Sequence, residues 1–180
     1  MQQLQIKRSL DLLRGRDIAV VTRLAHMAAT YSDLVMTGRS HNVAAQATTL
    51  GKRFASAADE MLVAIDRVDH LIDTFPLRGI KGPMGTSQDM LDLLDGNEAK
   101  LRDMERGIAE HLGFSTVLDS VGQIYPRSLD YDVLTALVQL GAAPASLDTT
   151  IRHMQGHELL TEAVKPRPLA SAAKPPKMNA

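Results

Sequence analysis

A histidine with the chemistry of an acid–base catalyst occurs in the segment TGRSHN, residues 37–42. An imidazole ionises near neutral pH, so it can donate or accept a proton during a reaction. Gly38 permits turn geometry and the polar run lacks a helical period, which predicts that His41 lies in a loop. Without further context, a solvated turn residue is the commoner interpretation of one loop histidine.

Two further predicted loops carry basic side chains. The segment LRGIKGPMGT, residues 77–86, contains Lys81 among three glycines and predicts an extended loop or a small hairpin. It is not a phosphate-binding P-loop, because the sequence GK[ST] is absent. The segment GQIYPR, residues 122–127, predicts a third loop with Arg127 at its end. Arginines near helix ends are more often surface ion-pair partners than ligands of a substrate.

His153 and His157 offer an alternative site, because a spacing of four residues places both on one helix face. A metal ion is the ligand that such a pair suggests. The glutamate of the HExxH motif is missing, so the pair is a minor alternative.

Long helices are predicted to position these loops. Apolar residues recur at helical spacing from Ile6 to Met27, interrupted at Asp17. A second helix is expected to begin after Thr48 or Thr49 as its cap, and two shorter helices are expected at 87–94 and 98–112. A last long helix is expected to be kinked at Pro144, which falls on a core position of a heptad stripe. The second helix carries one apolar face, formed by Leu50, Phe54, Ala58, Met61, Ile65, Val68 and Ile72.

Composition and charge exclude several classes of function. The chain has 180 residues, a hydrophobic fraction of 44%, an aromatic fraction of 3% and a net charge of −1. Few aromatic residues favour helices over sheets. A net charge near zero supplies no broad positive field that would attract nucleic acid, so no nucleic-acid partner is expected. The sequence has no cysteine, which excludes disulfides and thiolate catalysis. No membrane-spanning or signal segment is recognised, and a cytoplasmic location is expected.

The last segment differs in composition. Residues 163–180 hold four prolines and four basic residues and no acid, which predicts a flexible tail. We therefore expect one helical domain over residues 1–162, followed by the tail over 163–180.

Three blocks closely resemble consecutive segments of the adenylosuccinate lyase family, in the fumarase/aspartase superfamily. They are GRSHNVAAQATTLGKRF, which is close to the bacterial form, LRGIKGPMGTSQDMLDLLDG, and GQIYPRSLDYDVLTALVQLGA. The resemblance covers most of the chain. It implies an all-α fold, a bundle of long helices with short extended loops, which corresponds to the central helical domain of that superfamily.

The same resemblance implies an activity and assigns roles. The family releases fumarate from adenylosuccinate, giving AMP, and from a related succinyl-carboxamide ribotide in purine synthesis, with neither metal nor organic cofactor. It forms homotetramers in which three subunits build each active site. His41 takes the role of general acid, and the implied substrate-binding residues upstream are Arg39, Ser40, Lys81, Thr86, Gln123 and Arg127.

The family's catalytic base is the first serine of a mobile loop with the pattern GSSxMPxKxN. Aligned without a gap, this loop falls on ASAAKPPKMN, residues 170–179. Ser171 then takes the base position, and Lys177 and Asn179 match the carboxylate-binding lysine and asparagine. Three residues depart from the pattern: Ala170 replaces the glycine, Ala172 the second serine and Lys174 the methionine.

The resemblance also places the family's N-terminal active-site segment before this chain and its last bundle helices after it. We therefore expect negligible lyase activity from the chain alone. The alternative function is a non-catalytic helical module that oligomerises through its apolar stripes. Within the superfamily, a carboxymuconate cycloisomerase or argininosuccinate lyase is the other candidate, although the second and third blocks favour adenylosuccinate.

Overall fold

A computed structural model describes residues 1–160; the predicted tail and the 170–179 loop lie outside the described residues. Five helices and one two-stranded sheet form the described chain, in the order α1 (Gln2–Thr30), β1 (Val35–Ser40), β2 (Val43–Thr49), α2 (Leu50–Thr74), α3 (Gln88–Leu93), α4 (Glu98–His111) and α5 (Ser128–Gly156). The predicted helical fold is confirmed. Within the described part, no helix is both long enough and apolar enough to cross a membrane.

The chain divides into two compact units, and the long helices contribute to both. Unit 1 comprises Met1–Thr22 and Met61–Leu140. Unit 2 comprises Arg23–Glu60 and, in the described part, residues 141–160.

Unit 1 is built around an apolar core from α1, α2 and α5. Its buried residues include Leu10, Val68 and Ala136, which are at most 1% exposed. A second cluster joins Phe75 and Phe114 to Ala109 of α4. Removing apolar area from water stabilises by roughly 25 cal/mol per Å², so these two clusters hold unit 1 together.

The predicted apolar face of α2 is confirmed, because all seven of its members are buried. The predicted apolar stripe of α1 is confirmed only in part, because its spacing shifts within the helix. Val20 is 43% exposed, whereas the neighbouring Val21 packs against the core. The shift follows Asp17, whose Oδ2 is buried without a hydrogen-bond partner among the described residues. Burial raises the pKa of the Asp17 carboxyl above its usual value.

Pro144 lies inside α5 and does not end the helix. The prediction that it occupies a core position was wrong, since Pro144 is exposed and the adjacent Ala143 is buried. A small side chain fits the helix interface there, and the proline ring is left on the solvent side.

Two strands were not predicted from the sequence. β1 and β2 pair antiparallel from Val35↔Thr49 to Ser40↔Val43, with a bulge after Gly38. The loop at residues 77–86 forms no hairpin of this kind. Instead Leu77 makes a parallel bridge with Val117, and its amide donates to the Thr116 carbonyl at 2.8 Å.

Candidate active site

His41 lies at the tip of the hairpin in unit 2, between the paired residues Ser40 and Val43. The backbone φ angles of His41 and Asn42 are 49° and 65°, so both central residues are left-handed. A type I′ two-residue hairpin loop requires positive φ at both positions, and its backbone twist matches that of the strands. Residues other than glycine are uncommon in this region, although histidine and asparagine are enriched among them, and residues held in such sparsely populated conformations cluster at functional sites. The turn leaves the His41 side chain exposed.

The first turn of α2 fixes the base of the hairpin. The amides of Leu50 and Gly51 donate to the carbonyls of Leu34 and Tyr31, both at 2.9 Å. The Lys52 amide donates to Thr49 Oγ1 at 3.1 Å, which confirms Thr49 as the helix cap. Three amides that helix geometry leaves without partners are thereby satisfied.

Gly51 allows this close approach. A Cβ at position 51 would overlap the Ala28 carbonyl oxygen and lie 2.8 Å from the Ser32 amide nitrogen. Only glycine lets the start of α2 pack directly against the end of α1. The hairpin that carries His41 is therefore anchored by backbone contacts rather than by a large side-chain core.

A cleft of about 270 Å³ opens beside the turn, within unit 2. Its walls are the hairpin, the first turns of α2 and the end of α5. The polar and ionisable side chains on these walls are Thr37, Arg39, His41, Asn42, Arg53, Thr150, His153 and His157. The structure thus brings Arg39 and His41 to one cleft, and it adds Arg53, which was not singled out from the sequence. An arginine four residues after a helix cap gives no sequence signal that separates it from a surface arginine.

Lys81 lies in unit 1, and its side chain is 7% exposed. Its ammonium forms an ion pair with Glu105 Oε1 at 2.9 Å and donates to the carbonyls of Leu118 at 2.8 Å and Arg78 at 3.3 Å. An ammonium has three hydrogens, and these partners use all of them. Its role as a substrate ligand stays a prediction, since in this structure its hydrogens serve the loop itself.

Arg78 joins the two predicted loops of unit 1 and was not identified from the sequence. Its guanidinium donates to the carbonyls of Lys81 at 2.6 Å, Gly82 at 2.9 Å and Gly122 at 2.7 Å. The Arg78 amide donates to the buried side chain of Gln3 at 2.9 Å. These contacts hold residues 78–86 against residue 122, so Arg78 is a positioning residue for both loops.

Arg127 contacts side chains of the third loop and of the first turn of α5. Its guanidinium pairs with Asp130 at 3.1 Å and lies over the ring of Tyr125, 5.3 Å from the centroid. Tyr125 is buried and donates its hydroxyl to Asp130 at 2.6 Å. Burial, followed by the bond to Asp130, raises the pKa of Tyr125.

The remaining predicted residues are exposed or lie outside the described part of the chain. Thr86 and Gln123 are exposed residues of unit 1, and Ser40 is exposed beside His41 in unit 2. Ser171, Lys177 and Asn179 lie outside the described residues. In the described part, no group of three histidine, aspartate or glutamate side chains is arranged to hold a metal ion, so the histidine-pair metal site gains no support.

Chemically, the turn offers an exposed imidazole on a fixed backbone, and arginines flank it. Such an arrangement can transfer a proton to a leaving group while holding an anionic substrate.

Comparison with known proteins identifies relatives that match nearly the whole chain. The chain is 33% identical over 174 residues to the adenylosuccinate lyase of Saccharomyces cerevisiae, covering 97% of this chain and 36% of that protein. It is 32% identical to the enzyme of that name from Caenorhabditis briggsae, covering 95% and 36%. The adenylosuccinate lyase of Archaeoglobus fulgidus is 30% identical, with 98% of this chain and 38% of that protein covered. The chain therefore spans little more than a third of the length of these relatives.

A solved structure shares the fold. A fumarate lyase from Mesorhizobium sp. BNC1 superposes with a TM-score of 0.67 at 22% identity, covering 88% of this chain and 35% of that one. No family model matches the chain. The relatives extend over nearly all of its residues, including each of the three loops. Over nearly its whole length the chain is therefore similar to the matching third of adenylosuccinate lyases, and it shares the fold of a fumarate lyase.

Proposed function

We propose that this chain supplies the central helical part of an adenylosuccinate lyase, a C–N lyase that releases fumarate by β-elimination. The observation that carries the proposal is the exposed His41 at the tip of a left-handed turn. The proposal is also supported by relatives of that name in fungi, animals and archaea. The substrates would be adenylosuccinate and the related succinyl-carboxamide ribotide of purine biosynthesis, in the cytoplasm.

The proposed reaction divides between two groups. A base removes a proton from the methylene carbon of the succinyl group, the C–N bond breaks as the C=C bond of fumarate forms, and an acid protonates the nitrogen of the departing AMP. His41 suits the second role because its side chain is exposed and its backbone is fixed by the hairpin. Ser171 is proposed as the base, with Lys177 and Asn179 on the carboxylates. Arg39 and Ser40 lie next to His41, where they are available to orient the substrate.

Lys81, Thr86, Gln123 and Arg127 are proposed to act from the loops of unit 1. Negative charge develops on the carboxylate during proton removal, and donors aimed at it would stabilise that intermediate. Arg78 would then influence turnover indirectly, by holding both loops in place.

The proposed enzyme is a homotetramer in which each active site is shared between subunits. Large apolar side chains of unit 1 are exposed in the single chain, among them Leu12, Val63, Leu134 and Val138, at 59–75%. Burying such groups against another copy is favourable. The same observation favours the alternative function, a helical module that only oligomerises.

Fumarate release from adenylosuccinate tests the catalytic proposal. The chain is assayed alone and after co-expression with the two segments that flank it in its relatives. We expect turnover in the co-expressed complex, and His41→Ala should lower kcat by about 100-fold or more. His26→Ala, at an exposed helical position, is the matched control. Turnover in the complex that is unchanged by His41→Ala would overturn the assignment of His41.

Two measurements separate the alternatives. Light scattering reports the oligomeric state, and replacing Val63 and Val138 by lysine should dissociate the oligomer. A complex that assembles but neither binds nor converts adenylosuccinate would support the assembly module instead. Parallel assays with argininosuccinate and carboxymuconate test the other members of the superfamily.

A further inference from the structure

Gln3 is a polar side chain buried in the first turn of α1, outside the set of predicted site residues. It is 5% exposed, whereas Gln2 and Gln5 on the same helix are exposed. Glutamine ordinarily lies on protein surfaces, and a polar group that is buried almost always has its hydrogen bonds made. The partners of Gln3 therefore indicate what its side chain does.

Both polar atoms of the Gln3 side chain bind one short backbone segment. Nε2 donates to the Pro76 carbonyl at 2.7 Å, and Oε1 accepts from the Arg78 amide at 2.9 Å. Leu77, between them, makes both of its backbone hydrogen bonds with the segment 116–118, at 2.8 Å. Successive residues of a strand direct their backbone groups to opposite edges. Residues 76–78 therefore form a strand segment with backbone on one edge and the carboxamide of Gln3 on the other.

The edge that Gln3 covers calls for a carboxamide. It presents one carbonyl, from Pro76, and one amide, from Arg78. A carboxamide carries a donor and an acceptor side by side, so a single glutamine satisfies both groups. An apolar side chain of the same size would fill the space and leave both backbone groups without these partners, which is unfavourable for buried groups. Hydrogen bonding, and not packing alone, therefore accounts for a glutamine at position 3.

Arg78 extends this contact to both loops of unit 1. Gln3 binds the backbone of Arg78, and the guanidinium of the same residue donates to the Lys81 carbonyl at 2.6 Å and to the Gly122 carbonyl at 2.7 Å. A shift of residues 76–78 would therefore move the two loops together. These loops carry four of the residues proposed above as substrate ligands.

Lys7 supports the same contact from the next turn of α1. Its ammonium donates to the Ile72 carbonyl at 2.6 Å and lies over the ring of Phe114, 5.4 Å from the centroid. Residues four apart lie on one face of a helix, so Lys7 follows Gln3 along the same face. Two adjacent side chains of α1 thus hold the end of α2 and the start of the loop that follows it.

From these contacts we infer that Gln3 is a positioning residue of the proposed active site. It fixes residues 76–78 and, through Arg78, sets where the two loops present their donors. A displacement of about 1 Å at such donors can lower a rate by about 100-fold. The effect on turnover rests on the proposed lyase function, whereas the effect on the loops is a property of this chain and is measured without substrate.

Amide hydrogen exchange of the full chain tests the effect on the loops. Gln3→Met keeps the length of the side chain and removes the donor and the strong acceptor. Exchange of the Arg78 and Gly82 amides, the second of which donates to a carbonyl of its own loop at 2.7 Å, should accelerate by about tenfold or more. The Val68 amide, in the core of unit 1, should keep its rate. Gln5→Met, at an exposed position of α1, is the matched control and should change none of these rates.

Gln3→Glu keeps the inference testable if the methionine variant misfolds. A neutral carboxyl has one donor and one acceptor, as the carboxamide does, whereas an ionised carboxyl only accepts. Protection of the loop amides should match that of the unmodified chain below the pKa of the new carboxyl, and it should be lost as the pH rises through that pKa. Each rate is divided by that of the unmodified chain at the same pH, which cancels the titration of Glu105. Lys7 and Arg78 stay charged throughout, so the change reports the hydrogen bond to Pro76.

Fumarate release by the co-expressed complex tests the effect on turnover. Gln3→Met should lower kcat by about tenfold or more and change KM less, because displaced donors weaken stabilisation of the transition state. Light scattering should show the same oligomer for both proteins. An unmodified complex without turnover would contradict the proposed lyase function, and the exchange rates would then decide the inference. Unchanged exchange at Arg78 and Gly82, acceleration that spreads equally to Val68, or an equal kcat in an active complex would overturn it.

Discussion

The hairpin of unit 2 and the loops of unit 1 both carry residues predicted to bind substrate, and they use their polar groups differently. In unit 1, Lys81 and Arg78 donate to carbonyls and a carboxylate of the protein itself. In unit 2, His41 is exposed and Arg53 has a buried nitrogen without a partner among the described residues. Donors saturated by the chain build a rigid loop, whereas donors left open are available to a ligand.

Replacing Lys81 by methionine tests whether the saturated donors of unit 1 stabilise its loops. This change should cause the largest loss in the free energy of unfolding. The change leaves Glu105 partly buried without its counter-ion, and breaking such a pair costs about 3–5 kcal/mol. Urea unfolding at fixed protein concentration measures the loss. The double variant Lys81→Met/Glu105→Gln should recover most of it, because no unpaired charge remains and the glutamine oxygen can still accept from the Ile80 amide. A loss below about 1 kcal/mol would mean that the ion pair contributes no more than an exposed one.

Gly85→Ala should be the next most severe change. Gly85 has φ of 79°, and a Cβ there would overlap the Val121 carbonyl. Left-handed backbone costs an alanine about 1–2 kcal/mol, and overpacking adds about 1–3 kcal/mol. Gly96 is the control, since its φ is 74° and nothing lies within 4 Å of an added Cβ. Thermal unfolding should show a smaller loss for Gly96→Ala, and equal losses would remove the role of the Val121 contact.

Gly51→Ala asks whether backbone packing anchors the hairpin of unit 2. The overlap with Ala28 should cost about 2 kcal/mol. Gly141→Ala, in α5 of the same unit, has open space around the added Cβ and should stabilise by up to about 1 kcal/mol. Amide hydrogen exchange over residues 35–49 should accelerate in the Gly51 variant alone. Unchanged exchange there would separate the hairpin from the start of α2.

His41→Asn should have the smallest effect on folding. Asparagine tolerates left-handed backbone better than most residues, so the free energy of unfolding should stay within about 0.5 kcal/mol of the unmodified value. His41→Val should destabilise by about 1 kcal/mol or more, since a β-branched residue is strained in this conformation. A marked loss in the asparagine variant would show that the imidazole supports the fold.

Local patterns in the sequence were sufficient for the helices and for part of the site. The apolar face of α2, the Thr49 cap and the loop position of His41 all depend on residues within a few turns of one another, so periodicity and capping chemistry reveal them. The hairpin strands were missed because β1 and β2 are short and mostly exposed. They lack the apolar alternation by which a strand is recognised.

By itself the sequence determined the helical class, the likeness to adenylosuccinate lyases and the candidate acid at position 41, because each follows from local spacing or from blocks of adjacent residues. Tertiary structure alone decided the use of each polar group. Arg78 meets Gly122 44 residues away, and His157 meets Asn42 115 residues away. Hydrogen-bond partners so distant in the chain leave no periodic signal, since folding selects them by proximity and not by spacing.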